Sequence, residues 1–273
     1  VKEVPTSSFG GHKYAVCFID DMSRRSTTYP LRKKSEVLDK FILFVEECAI
    51  EGIEVKCLRS DTGGEYIAEE MQAFCRSREI RQEFSPPHCQ SANGVSEVYW
   101  RETFKMVRTI IYDQQRSDSY WVAALQFANT IRNNLVTDGM CDMWKGHPPE
   151  SVWKNEVVNT AMFRVPLTTC YSHIEKGLRA TDDHVETLAD RRMQGVFVGY
   201  DLRSSAYLVY DPVAKHTYTR RYADVKFPDE SSKAPQDTEP TVLFVETILA
   251  KMDLELMKNA ELAEAKTLKD GKA

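Results

Sequence analysis

The sequence predicts a mixed α/β core followed by a small all-β module and an acidic, partly helical tail. Three observations predict this. β-prone runs alternate with helix-spaced apolar residues through the first half of the chain. Short apolar strands separated by turn signals fill residues 160–227. A linker-like composition then runs from Ser231 to Pro240.

The run Lys13 to Ile19 is strongly β-prone and ends at the acidic pair Asp20-Asp21, and Thr27 to Leu31 follows at hairpin distance. Ser35 stands where an N-cap belongs, and Val37, Phe41, Phe44, Val45 and Cys48 then recur at helical spacing up to a stop at Gly52. Ile53 to Leu58 is expected to be a buried strand ending in Arg59-Ser60-Asp61. A short helix (69–78), a strand (81–84) and a turn-rich loop (85–94) come next. A longer helix begins at Val95 with a stripe of Trp100, Phe104, Val107 and Ile111, and another covers 119–135 through Trp121, Leu125, Ala128 and Ile131. The pattern breaks around Gly146 to Pro149. Strands are expected at 195–200, 206–210 and 217–225, with Asp211-Pro212 as a turn, which suggests a small barrel or meander. In the tail, Val245, Ile248, Leu249, Met252 and Leu256 are spaced for an amphipathic helix.

The chain of 273 residues is long enough for one large or two modest domains, and 42% hydrophobic with 28% charged residues excludes a largely disordered chain. It holds no apolar run of about 18 residues, so no membrane partner is expected. Residues 1–14 carry neither a basic leader nor an apolar stretch, so no signal peptide is expected. The chain opens on Val1 and not Met, as expected for a segment of something longer. Seven scattered cysteines, an odd number without a C-x-x-C pair, argue against a disulfide scaffold or zinc knuckle and for an intracellular, reducing compartment. A net charge of -5 argues against strong autonomous DNA binding, although a local basic stripe is what contacts phosphate.

The chemistry-bearing feature is Asp61 just past a strand and Glu97 in a first helical turn, with 35 residues between them. A carboxylate past a strand end lies on a sheet's functional edge, and one in a first turn can face it. Two such groups about 4 Å apart repel by roughly 4 kcal/mol at an effective dielectric of 20, which a bridging divalent cation relieves. Metals on a carboxylate cluster activate a nucleophile and stabilise a leaving oxygen in phosphoryl transfer. Taken singly, each acid has an ordinary explanation: an Asp before Gly-Gly as a turn residue, a first-turn Glu as a partner of the helix dipole. Arg101, Lys105 and Arg108 follow Glu97 on one helix face, suited to gripping a nucleic-acid backbone or simply to facing solvent. Asp61-Thr62-Gly63 is also the triplet of aspartic proteases, but Gly64-Glu65-Tyr66 follows where a protease continues into an apolar strand.

Several runs together resemble copia-type retrotransposon integrases. They are Tyr14-Ala-Val-Cys-Phe-Ile-Asp-Asp-Met-Ser-Arg24, Leu58-Arg-Ser-Asp-Thr-Gly-Gly-Glu-Tyr66 and Asn93-Gly-Val-Ser-Glu97. Trp121 to Asn134 and Pro148-Pro-Glu-Ser-Val-Trp153 are similar to the linking helices of that family. Leu188 to Tyr200 with Tyr207-Leu-Val-Tyr-Asp-Pro212 resembles its SH3-like module. The resemblance covers about residues 10–230, in the family's order. It implies an RNase H-like core with an acid triad in which Asp61 is the second acid and Glu97 the third, holding Mg2+ or Mn2+. DNA is the implied partner, with a possible homo-oligomer and a nuclear location for a functional protein. The family's first acid lies on a strand that would fall before Val1, and Asp20 and Asp21 match its non-catalytic pair. Thr62 stands where Asn is usual, and Val98, Tyr99 and Trp100 replace basic and amide side chains after the Glu. The implied organisation is a core over 1–135, a helical or irregular linker over 136–165, the SH3-like module over 166–230 and a linker and tail over 231–273. The expected activity is DNA strand transfer, absent from the chain as given because one acid is missing. The alternative is a non-enzymatic domesticated or vestigial module that binds nucleic acid or protein.

Overall fold

The computed structural model describes residues 1–85, 94–136, 146–156, 163–173, 192–201, 204 and 206–228. The loop after Ser85, half of the linker, the Leu188 end of the SH3-like resemblance and the expected tail helix lie outside the described residues. The chain divides into two units, Val1–Lys105 with Asp118–Val158, and Met106–Ser117 with Asn159–Ala273.

In the first unit, β1 (Lys2–Glu3), β2 (Tyr14–Ile19) and β3 (Ser26–Leu31) form an antiparallel sheet in that order. Pro30 lacks an N–H to give to a ladder, and it lies on β3 at the sheet's edge, where none is required. β1 pairs with β2 only through Lys2 with Ala15 and Glu3 with Tyr14. Among the described residues, the Val16–Ile19 half of that edge therefore has no strand partner. Across α1 (Val37–Ile50), the buried Val37, Phe41, Phe44 and Cys48 recur at helical spacing. Phe44 stacks on Phe18 of β2 with ring centroids 4.9 Å apart. Gly52 ends the helix at φ +75°, the left-handed conformation glycine adopts without a Cβ penalty. Ser35 is not the N-cap: it lies inside a 3-10 turn, Lys34–Glu36, and Glu36 precedes α1 without a side-chain cap.

β4 is Cys57–Ser60, not Ile53–Leu58. Its burial alternates, with Leu58 and Ser60 inward, because only one face of this strand meets the core. It pairs in parallel with β5 (Arg81–Phe84). A parallel pair needs a crossover, and α2 (Gly64–Ile67) and α3 (Glu69–Ser77) supply it; α2 is too short to show as a periodic pattern. β4 and β5 form a two-stranded sheet, so the far edge of β4 is also open among the described residues. Phe18, Leu31, Phe41, Leu58, Tyr66 and Met71 lie in one apolar cluster.

α4 (Gly94–Asp113) crosses from the first unit into the second. Its buried face is Tyr99, Thr103, Met106, Val107, Ile110 and Ile111, while Trp100 and Phe104 are half-buried. The helix is thus rotated from the predicted stripe by about one residue toward Tyr99 and Thr103. α5 (Trp121–Asn134) buries Trp121, Leu125, Ala128 and Ile131 as predicted. α6 (Pro149–Lys154) is held by side chains of the same unit: Arg25 donates to Glu150 (2.9 Å), and the Trp153 indole N–H donates to Glu51 (2.6 Å).

The second unit contains an antiparallel sheet of β6 (Thr169–His173), β7 (Arg192–Asp201), β8 (Ala206–Asp211), β9 (His216–Arg221) and β10 (Val225–Lys226), in the order β10-β6-β7-β8-β9. The strand expected over 217–225 is interrupted by a 3-10 turn at Tyr222–Asp224, so its last part, β10, pairs with β6 instead of β8. Phe197, Tyr200, Tyr207 and Phe227 meet ring to ring in its core. A Cβ on Gly195 would lie 2.5 Å from Val209 and 2.9 Å from the Tyr210 carbonyl, so only glycine fits there. Arg116 ties the end of α4 to this unit through the Leu167 carbonyl and the Thr169 hydroxyl. No helix among the described residues is long and apolar enough to cross a membrane.

Candidate active site

Asp61 is exposed, one residue beyond β4. Its backbone is anchored from below. Ser85 donates its N–H and its hydroxyl to the Ser60 carbonyl (2.9 and 3.0 Å), which welds the ends of β4 and β5 together. The Asp61 carboxylate accepts the Gly63 N–H through one oxygen at 3.1 Å. A Cβ at Gly63 would stand 3.0 Å from that oxygen and 3.2 Å from the Glu65 carboxylate, so the glycine permits the tight turn. Tyr66, buried behind the turn, has its phenol pushed up by burial first and by the Asp61 and Glu65 charges second. Asp61 thus keeps its other oxygen open to solvent on a turn that backbone contacts brace.

Glu97 lies in the first turn of α4 and is exposed. Two residues on, Tyr99 is 4% exposed, and its hydroxyl donates to Asn129 of α5 at 2.6 Å. The Arg132 guanidinium lies over the Tyr99 ring, 5.2 Å from its centroid. Asn129 and Asn133 both bond Ser26 of β3, giving and accepting at 2.6–3.0 Å. Tyr99 is one of the three residues that replace basic and amide side chains after the Glu. This side chain is buried and links the helix that carries Glu97 to α5. Nothing in the sequence near Glu97 signals this contact, since the partners are 30 residues or more away.

The predicted basic residues differ in their surroundings. Arg101 donates through Nε to Glu102 (3.1 Å), and Lys105 donates to both Glu102 oxygens (3.1 Å each). Arg108 is exposed and falls on the part of α4 that belongs to the second unit. Asp20 accepts the N–H and hydroxyl of Ser23 at 2.7 Å, and Asp21 pairs with Arg24, so both acids are engaged in the β2–β3 turn. Carboxylate oxygens are the donors that Mg2+ or Mn2+ takes, so the chemistry of Asp61 and Glu97 fits such an ion. Among the described residues, no three His, Cys, Asp or Glu form a metal-binding group.

Comparison with known families places these elements. Residues 1–89 match the integrase core domain family, and residues 168–241 match the retroviral polymerase SH3-like domain family. Among curated proteins, the chain is similar to the retrovirus-related Pol polyprotein from transposon TNT 1-94 of Nicotiana tabacum, with 32% identity over 236 residues. That match covers 86% of this chain and 17% of the relative. It is also similar to the Pol polyprotein from transposon RE2 of Arabidopsis thaliana, with 29% identity over 221 residues, covering 80% of this chain and 14% of the relative. The chain therefore spans about a sixth of the length of these relatives. A solved simian T-cell lymphotropic virus intasome in complex with PP2A regulatory subunit B56 gamma matches with a TM-score of 0.42 and 16% identity, over 81% of this chain and 73% of that one.

The fold is an integrase core joined to an SH3-like domain. The chain belongs to the retrovirus-related Pol polyproteins of copia-type transposons, as a segment of their integrase region.

Proposed function

We propose that this chain is part of a DNA strand-transfer enzyme whose metal site is completed by an acid on a strand ahead of Val1. The observations that carry the reading are two open strand edges in the first unit, one on β2 and one on β4. β1 covers only Tyr14 and Ala15 of β2, and the far side of β4 has no strand partner among the described residues. A strand leading into β1 and keeping its antiparallel register would set the residue before Val1 against Cys17. In the proposed arrangement the same strand also lies along the open edge of β4, whose end bears Asp61. Asp61, Glu97 and an acid on that strand would hold Mg2+ or Mn2+, which supplies charge neutralisation at a phosphate and activation of the attacking hydroxyl. Asp61 contributes a carboxylate held steady by the Gly63 N–H, and Glu97 contributes one whose helix is fixed by Tyr99. The core-family match ends at residue 89, so the assignment of Glu97 rests on its spacing and its place in the first turn. DNA is the substrate, gripped along Arg101, Lys105 and Arg108, and a homo-oligomer is the functional form. The core covers residues 1–135 and the SH3-like module 166–230.

The test is a Mg2+- or Mn2+-dependent joining assay on short duplex DNA, with the chain as given and with the same chain extended upstream through the preceding strand. The extended protein is expected to join DNA, and Asp61→Asn or Glu97→Gln to remove nearly all of that activity, because the acids act as a unit. The chain as given is expected to be inactive. Robust joining by the unextended chain that Asp61→Asn abolishes would show that the third ligand lies within these residues. An extended protein equally inactive in all forms would favour the non-enzymatic reading.

A further inference from the structure

We infer that Glu102 is a built-in competitor for the cations that grip DNA, a carboxylate that a phosphate must displace before α4 can bind a backbone. The inference rests on the reading of this helix face as the DNA-contacting surface, and it adds a residue that limits the affinity of that surface.

Arg101 and Lys105 both spend hydrogen-bond donors on Glu102, at 3.1 Å from each cation. Adjacent helical residues do not face one another, so the Arg101 guanidinium has to lie sideways along the helix to reach Glu102. Lys105 sits at the i+3 position, where pairing is geometrically easy. The side chains of Arg101, Glu102 and Lys105 are 62%, 31% and 27% exposed, so the cluster is half-sheltered and still reachable from solvent. Burial alone would push the Glu102 carboxyl up, but the hydrogen bonds from Arg101 and Lys105 hold it below the ordinary glutamate range. Glu102 is therefore ionised at neutral pH. The patch presents a net charge of about +1 where its cations alone would present +2.

Exposed ion pairs are weak, so exchange of the carboxylate for phosphate is allowed; Glu102 is a competitor and not a lock. After exchange its charge remains beside the bound phosphates, cancelling part of their neutralisation. Two consequences are measurable. Replacing Glu102 by the isosteric Gln should tighten binding, and it should steepen the salt dependence, because each additional neutralised phosphate adds about 0.9 to the slope of log K against log salt.

The experiment measures the affinity of the full chain for a fluorescein-labelled duplex of about 20 base pairs by anisotropy, over a series of KCl concentrations. The variants are Glu102→Gln, Arg101→Gln with Lys105→Gln, and all three substitutions together. Glu54→Gln serves as a control for net charge, since Glu54 is an exposed acid of the same unit paired with Lys56. Glu102→Gln is expected to tighten binding by about threefold to tenfold at low salt and to steepen the slope by about one. Glu54→Gln should change little, and Glu102→Gln should have no effect once both cations are gone. If removing the cations weakens binding while Glu102→Gln changes nothing, the DNA face stands and the competitor role is overturned. A gain from Glu102→Gln that persists without the cations reflects bulk charge and overturns it too. If removing the cations also leaves binding unchanged, the DNA-face reading fails along with the inference.

Discussion

Tyr99 shows how one side chain can serve a site that it never touches. Its hydroxyl donates to Asn129, whose oxygen also accepts from the Ser26 hydroxyl, while the Asn129 amide donates to the Ser26 carbonyl. The phenol, raised well above its ordinary pKa by burial, is neutral at pH 7 and serves as donor. Tyr99→Phe removes one buried hydrogen bond and leaves Asn129 satisfied by Ser26. It is expected to cost about 1 kcal/mol. Asn129→Ala removes the acceptor shared by Tyr99 and Ser26 and leaves a cavity, with Ser26 still bonded to Asn133, and is expected to cost about 2–3 kcal/mol. Urea unfolding at constant m-value measures both. Equal losses for the two variants would mean that the cluster is not wired in this order.

At the scale of elements, α6 shows a helix that exists because of its neighbours. Six residues are too few for an isolated helix in water, and Pro149 at its start only pre-sets the first turn. Its partners are Arg25, which stacks over Trp153 at 4.8 Å and binds Glu150, and Glu51, which accepts from the Trp153 indole. Lys154 closes the set with a 2.9 Å ion pair to Glu150. Burial raises the Glu150 pKa, but Arg25 and Lys154 outweigh it and hold the carboxyl below its ordinary value. A folded-state pKa below the unfolded one gives stability that is fully present above the ordinary glutamate pKa of about 4.3. That stability is lost as pH falls through the depressed value. Glu150→Gln is therefore expected to cost about 1–2 kcal/mol at pH 7, with the gap from the parent shrinking toward pH 3. Unfolding followed by tryptophan fluorescence at several pH values checks this. A gap independent of pH would assign the loss to packing.

For the whole molecule, the question is how many acids converge on one point. A ligand that binds only the native state stabilises it by about 2.7 kcal/mol at a hundredfold excess over its dissociation constant, a shift of several degrees in Tm. Millimolar Mn2+ is expected to raise the Tm of the upstream-extended protein by such an amount. On the proposed reading of Asp61 and Glu97 as two of three ligands, the expected shift for the chain as given is under about 1 °C. Asp61→Asn in the extended protein should abolish the shift. A large shift in the unextended chain that survives Asp61→Asn would point to a metal site elsewhere.

Much of the fold was legible along the chain. α1 and α5 announced themselves because their apolar residues repeat at the helical period and lie on one face, and β2 and β3 because they are short runs of β-prone residues at hairpin distance. The carboxylate at the end of β4 and the one in the first turn of α4 were legible for the same local reason: a strand end and a helix start are written in a few consecutive residues. Other features only the tertiary structure decided. The buried face of α4 includes the polar Thr103 and leaves Trp100 and Phe104 half-exposed, because what covers a helix is chosen by its neighbours. The role of Tyr99 depends on Asn129, and that of Asn129 on Ser26, 103 residues away. Only the folded side-chain positions showed that Glu102 draws both Arg101 and Lys105 to itself, for the sequence supplied the charges but not their partners. Periodicity encodes which residues can be buried; which polar groups meet is decided when distant segments pack.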